Sequence, residues 1–268
     1  MSAVTQEAPG PHGPGAPGPV LVATDLGKRY GGVQAVQEIS LTMAAGERIG
    51  VIGPNGAGKT TLFKMLAGDV LPTAGTVELF GRDVTNVSTA RRARMGVGRT
   101  FQVSNLFTEM TVLDNARVAA RGGTAKARVF WRPQRVSDDV SQEARAALES
   151  VGLTGRLKDT VEDLSHGEQR QLEIAMALVS KPKILLLDEP AAGLSAAERT
   201  TLKQLIADLP RTLPILLIEH DMSFALGLTD RVMCMDNGHH VITGTPDEVR
   251  DNETVKEIYL GKRGRSES

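Results

Sequence analysis

The sequence predicts an α/β protein built on a mixed or parallel central sheet, with a smaller antiparallel β layer and a helical subdomain beside it. Three observations carry that expectation. A strand-like run at 48–52 leads through a glycine-rich loop into a helix-like run at 61–66. Short apolar runs at 184–187, 214–218 and 231–235 alternate with helical segments at 196–208 and 222–228, which is the spacing of a parallel sheet. Between 20 and 52 the chain instead alternates β-like runs with turns at Tyr30-Gly31-Gly32 and Ala45-Gly46, and 76–81 adds one more such run.

The loop itself reads Gly53-Pro54-Asn55-Gly56-Ala57-Gly58-Lys59-Thr60, followed by Thr61. It fits the phosphate-binding pattern G-x-x-x-x-G-K-[ST], and the strand before and helix after it supply the context that gives the pattern physical meaning. Glycines let backbone N–H groups curl around phosphate oxygens, and the helix N-terminus adds partial positive charge. The Lys59 ammonium is placed to reach β- and γ-phosphates, and the Thr60 hydroxyl to bind Mg²⁺. The pattern identifies a binder of nucleoside triphosphate.

Composition narrows the class. The 268 residues carry 31 Lys plus Arg against 32 Asp plus Glu, so the basic excess expected of a nucleic-acid groove is missing. The one cysteine, Cys234, excludes a disulfide framework, fits a reducing compartment and reads as a small buried hydrophobe. No run reaches the roughly 20 apolar residues that span a bilayer. Residues 1–19, rich in proline and glycine and without an apolar core, read as a disordered tail rather than a signal peptide.

Residues 110–160 read as mostly helical. Thr111 precedes Val112-Leu113-Asp114-Asn115, and 139–151 carries apolar positions at Val140, Ala144, Ala147, Leu148 and Val151. The basic stretch 121–135 between them holds Trp131, the only tryptophan. It reads as a solvated loop or helix face, with contact to a partner or to lipid headgroups as the alternative.

Two further segments bear on phosphate chemistry. Ile184-Leu185-Leu186-Leu187-Asp188-Glu189 is an apolar strand ending in two carboxylates. In a parallel sheet these acids belong beside the phosphate loop, Asp188 as an Mg²⁺ ligand and Glu189 as the base that polarises water. In Leu164-Ser165-His166-Gly167-Glu168-Gln169, Ser165 and Glu168 have the spacing of a capping box. That helix start is a second ready anion site, which suggests a nucleotide held between two copies of the protein.

Taken in order, the phosphate loop, Gln102, LSHGEQ, ILLLDE and His220 resemble the ATP-binding subunit of an ABC transporter over residues 20–261. The segments GRTFQ (98–102), LFxxMTV (106–112), DEPAAGL (188–194), IEHDM (218–222) and the ending GTP…YLG (244–246, 259–261) resemble the importer branch for branched-chain amino acids and related small solutes. The resemblance implies a P-loop NTPase of the ABC ATPase type. Residues 20–262 would form the ATP-binding domain, with 20–100 and 180–262 as its core and about 101–179 as a helical subdomain, leaving 263–268 as a second tail.

By position, the resemblance implies that Tyr30 stacks on adenine. Gln102 touches Mg²⁺ or the lytic water and relays nucleotide state to a membrane permease. Ser165, Gly167 and Glu168 belong to the site that meets ATP on the opposite protomer, and His220 hydrogen-bonds the γ-phosphate. ATP and Mg²⁺ are the implied ligands. The implied partners are permease subunits, a second ATP-binding subunit and, indirectly, a periplasmic solute-binding protein, with no nucleic acid. The implied location is peripheral, on the cytoplasmic face of the membrane.

The chain departs from the common family pattern at His166 and Glu168, where glycine and glutamine are usual, and at Ser195, where an aspartate normally crosses to the other protomer. Ser195 and Glu198 instead have the spacing of another capping box. The nearest rival resemblance is to the ATPase of lipopolysaccharide export, or to a urea or amide importer. Chromosome-maintenance ATPase heads are disfavoured by the absence of long heptads between phosphate loop and signature, tandem translation ATPases by the single motif set, and GTPases by the lack of N-K-x-D.

Overall fold

The computed structural model describes residues 18–100, 106–122 and 138–263. Most of the tail 1–19, Gln102, the basic stretch from 123 onward with Trp131, and 264–268 lie outside the described residues.

Two sheets stack on the phosphate-loop helix. The first is antiparallel, in the order β2-β1-β4-β5, from β1 (Leu21–Tyr30), β2 (Val33–Met43), β4 (Ala74–Leu79) and β5 (Arg82–Asp83). The expected run at 76–81 is β4 shifted two residues earlier, because Phe80 and Gly81 both take positive φ and turn the chain. The second sheet has the order β10-β9-β3-β8-β7-β6, from β3 (Arg48–Ile52), β6 (Val97–Arg99), β7 (Ile184–Asp188), β8 (Ile215–Glu219), β9 (Arg231–Asp236) and β10 (His239–Gly244). All its pairings are parallel except β9 with β10, which form a hairpin through Asn237-Gly238. The sheet is therefore mixed, the tight Asn-Gly turn fixing the one antiparallel edge.

Side chains on the central strands alternate between two cores. Ile49, Val51, Leu186, Leu216, Ile218 and Met233 face the core under the antiparallel layer. That core is closed by the apolar face of α1 (Lys59–Ala67), which starts at the loop lysine rather than at 61. Leu185, Leu187, Ile215, Leu217, Val232 and Cys234 face the other core. It is covered by α5 (His166–Leu178), α6 (Ala196–Asp208), α7 (Met222–Leu226) and the C-terminal α8 (Pro246–Asp251) and α9 (Glu253–Arg263). The expected helix at 222–228 closes at Leu226, where Gly227 caps it. Strands buried on both faces need continuous apolar runs, and 184–187 and 215–218 supply them.

The helical region 110–160 forms α3 (Val112–Gly122), α4 (Asp138–Ser150) and two short 3₁₀ turns, all packed with α5. A further helix, α2 (Thr89–Met95), precedes β6. Asn115 is fully buried and ties the approach to α3: its Oδ1 accepts from Phe107 N at 2.9 Å, and its Nδ2 donates to Phe107 O and Thr111 O at 3.0 Å. Among the described residues no helix is long and apolar enough to cross a membrane.

Candidate nucleotide site

The C-terminal ends of β3, β8 and β7 lie side by side, with Ile52 paired to Glu219 and Asp188 to Ile218. Three loops therefore open at one edge of the sheet: the phosphate loop, the turn carrying Asp188-Glu189, and the turn carrying Glu219-His220.

The phosphate loop is held as a nest of left-handed glycines, with φ 151° at Gly53, 83° at Gly56 and 94° at Gly58. Two of these cannot be anything else. A Cβ on Gly53 would collide with Met235 O, and one on Gly58 with Ala35 O, so β9 and β2 grip the loop from both sides. Ala57 is buried; its N–H donates to Pro54 O at 3.1 Å, and its carbonyl accepts from Gly238 N at 3.1 Å. Asn55 and Gly56 are exposed at the tip, while Thr60 and Thr61 are half-buried in the first turn of α1. Successive N–H groups curled in this way make a concavity for anions.

Lys59 is 4% exposed, and its ammonium donates to Gly53 O at 2.7 Å and Pro54 O at 3.0 Å. Burial lowers its pKa, opposed by the charges of Glu189, Glu219 and Asp188, so one cation faces three carboxylates. Asp188 is 2% exposed and its Oδ1 has no hydrogen-bond partner among the described residues. Burial, helped by the neighbouring charge of Glu189, raises its pKa to about 6. A buried, orphaned carboxylate oxygen beside a phosphate nest suits a hard cation with oxygen ligands. Glu189 takes φ 45°, rare for a residue with a side chain, and its N–H donates to Ile218 O at 2.8 Å. His220 Nδ1 stands 3.7 Å from Glu189 Oε2.

Glu219 is a member of this cluster that sequence reasoning passed over. It is fully buried; Oε1 accepts from Ala191 N at 3.0 Å, which ties the turn after Glu189 to the turn before His220, and Oε2 has no hydrogen-bond partner among the described residues, with His220 Nδ1 3.9 Å away. Burial raises its pKa. The signal was available, since Ile215-Leu216-Leu217-Ile218-Glu219 is an apolar strand ending in an acid, as is the strand that ends at Asp188.

The other predicted residues sit apart. Tyr30 ends β1, 46% exposed, with the Lys28 ammonium 5.2 Å over its ring. Ser165 caps α5 through the expected box: its Oγ accepts from Glu168 N at 3.2 Å, and Glu168 Oε2 accepts from Ser165 N at 2.9 Å. Glu168 also pairs with Arg156 at 2.9 Å. The side chains of Ser165 and Glu168 and the Gly167 amide bond to one another, to Arg156 and to Glu198, rather than to the phosphate loop. Within one chain this helix terminus thus bonds apart from the phosphate loop.

Residues 36–192 match the model of the family described as ABC transporter, and 243–264 match that of the branched-chain amino acid ATP-binding cassette transporter. The chain is 42% identical over 254 residues to the high-affinity branched-chain amino acid transport ATP-binding protein LivG of Salmonella typhimurium, covering 91% of this chain and 98% of that protein. It is 34% identical over 249 residues to the lipopolysaccharide export system ATP-binding protein LptB of Escherichia coli (strain K12), covering 90% and 97%. Among solved structures, the ADP conformation of an ATP-binding cassette of an ABC transporter superposes with a TM-score of 0.81 at 27% identity, covering 91% of this chain and 99% of that one.

Proposed function

The chain belongs to the ABC transporter family, as an ATP-binding subunit that hydrolyses ATP, and from that premise we propose that it powers import of branched-chain amino acids through a membrane permease. The cargo reading is supported by the C-terminal match at 243–264 and by the greater identity to LivG than to LptB. The single observation that carries the chemistry is the convergence of Lys59, Asp188, Glu189 and His220 at neighbouring strand ends.

In this reading the nest at 53–60 wraps the phosphates, and the Lys59 ammonium passes from the carbonyls of Gly53 and Pro54 to β- and γ-phosphate oxygens. Tyr30 offers a ring face to adenine. Asp188, the Thr60 hydroxyl and Gln102 would hold Mg²⁺, which supplies charge neutralisation along the phosphates. Glu189 accepts a proton from the water whose oxygen attacks the γ-phosphorus, and ADP departs with the electron pair of the broken P–O bond. The rare φ of Glu189, fixed by the Ile218 carbonyl, holds its carboxylate in place. His220 hydrogen-bonds the γ-phosphate.

Ser165 and Gly167 complete the site from a second ATP-binding subunit, which closes over the nucleotide as a rigid body. A cavity of about 580 Å³ between α2 and α5, lined by Ala90, Ala93, Arg94, Leu106, Ala119 and Met176, with Phe107 half exposed nearby, supports a permease contact on that face. Such an engine sits peripherally against the cytoplasmic side of its permease.

Glu189→Gln tests the base. The expected result is a fall in turnover of about 10²–10⁴-fold with ATP affinity unchanged. Undiminished turnover overturns the assignment. Loss of labelled leucine uptake in cells lacking the chain tests the cargo, and intact uptake overturns it.

A further inference from the structure

The Gly167 amide, one of the two donors proposed to grip a γ-phosphate on a second subunit, already faces an anion of its own chain. Glu198, in the first turn of α6, reaches across 31 residues so that its Oε1 accepts from Gly167 N at 2.9 Å. The other oxygen, Oε2, accepts from Ser195 N at 3.0 Å and from Ser195 Oγ at 2.8 Å. The fit is close: a Cβ on Gly167 would stand 2.8 Å from Glu198 Cγ and 3.0 Å from Oε1.

We propose that Glu198 is an internal stand-in for the γ-phosphate, a latch that caps the second half-site in the open chain and must swing out before ATP on the partner subunit can be gripped. The proposal rests on the shared-site reading above.

The chemistry is competition for donors. One backbone N–H makes one strong hydrogen bond, and a carboxylate and a phosphate oxygen left side by side repel. Hydrogen bonds from Ser195 and Gly167 hold the Glu198 carboxyl far below the usual carboxylate range, to about 2, so it stays charged at every pH at which the protein works. The side chain is only half-buried, so release costs mainly its hydrogen bonds. Ser195 is part of the device. Its hydroxyl donates to Glu198, whereas the aspartate common at this position in the family would set a second negative charge beside it.

A closed state that must first be unlatched binds its ligand with an apparent affinity reduced by the unlatched fraction. Removing the latch therefore tightens the shared site, the reverse of what a simple structural contact predicts. The test uses Glu198→Gln, which keeps a capping-box side chain at this position of the helix, and Glu198→Ala, in the complete transporter complex. The Michaelis constant for ATP is expected to fall about three- to tenfold in Glu198→Ala and by less in Glu198→Gln, whose amide oxygen still accepts from Gly167 N without the charge, at undiminished kcat in both. ATP affinity of the dilute isolated chain, set by the phosphate loop alone, stays unchanged.

A constant that stays level or rises in both variants makes Glu198 a helix cap and overturns the latch. Ser165→Ala on the otherwise natural chain separates the premise. A raised Michaelis constant upholds the shared site, and an unmoved one removes both the shared site and the latch.

Discussion

Asp188 shows what burying a carboxyl costs even with the Lys59 ammonium near it. Its pKa is raised to about 6 first by burial and second by Glu189, against about 3.9 in an unfolded chain. The folded state thus favours the protonated acid. That advantage is complete below about pH 4 and is lost as pH climbs through 6, so the ionised group weighs against folding at neutral pH. Asp188→Asn is expected to stabilise the nucleotide-free chain by about 1–3 kcal/mol at pH 7, with the gain vanishing near pH 4, while turnover is lost. Urea unfolding at both pH values measures it; an equal gain at both would remove ionisation as the cause. Asp188 and Glu189 were legible in the sequence because an apolar strand points its last residues at the sheet edge. Glu219 carries the same signal at the end of Ile215-Leu216-Leu217-Ile218. The Glu198 contact with Gly167 was not legible at all. Its capping box with Ser195 is local, whereas the reach to Gly167 depends on how α5 and α6 pack, which no spacing rule encodes.

At the scale of elements, Arg92 explains how the phosphate-loop helix ends. The guanidinium is fully buried and donates to Met65 O at 2.8 Å and Leu66 O at 2.7 Å, two carbonyls in the last turn of α1. It also donates to Val84 O at 2.6 Å and Val87 O at 3.0 Å, so one side chain joins α1 to the chain leaving the antiparallel layer. A cation at a helix C-terminus is favoured by the dipole as well. Arg92→Ala strips the side-chain donors from these carbonyls, leaving Met65 O and Val84 O only their backbone donors from Gly68 and Val87, and is expected to cost about 3–5 kcal/mol. Arg92→Lys should recover less than half, since an ammonium lacks the planar five-donor fork. Denaturant midpoints of the two variants check this, and a cost below about 1 kcal/mol for alanine would mean that water takes over the carbonyls. The helix itself, TARRARM, has no apolar stripe, and its three arginines read as a solvated run. By contrast, the boxes at Ser165/Glu168 and Ser195/Glu198 were legible because both partners lie within one turn. Thr245/Glu248 forms a third box of the same spacing, heading α8 behind Pro246.

Across the whole molecule, one six-stranded sheet separates two cores, and alternation along each strand assigns side chains to them. Leu186 and Leu216 serve the face toward α1 and the antiparallel layer, Leu187 and Leu217 the face toward α5–α9. The parallel sheet was legible because strands buried on both faces must be apolar throughout. The antiparallel edge at β9–β10 was not read from its Asn-Gly turn. Since both cores share every central strand, neither can unfold while leaving the other its floor, and the chain should melt in one cooperative transition. The phosphate loop hangs from β3 in the middle of that sheet, so ligand bound there stabilises both cores together. Mg·ATP at a hundredfold excess over its Kd is expected to add about 2.7 kcal/mol, which for a domain of this size moves Tm by several degrees. Lys59→Ala, which removes the loop's only cation, should lose most of that shift. Scanning calorimetry with and without nucleotide decides the matter. Two resolved transitions would show that the shared sheet does not couple the cores, and an undiminished shift in Lys59→Ala would place the stabilising nucleotide away from this loop.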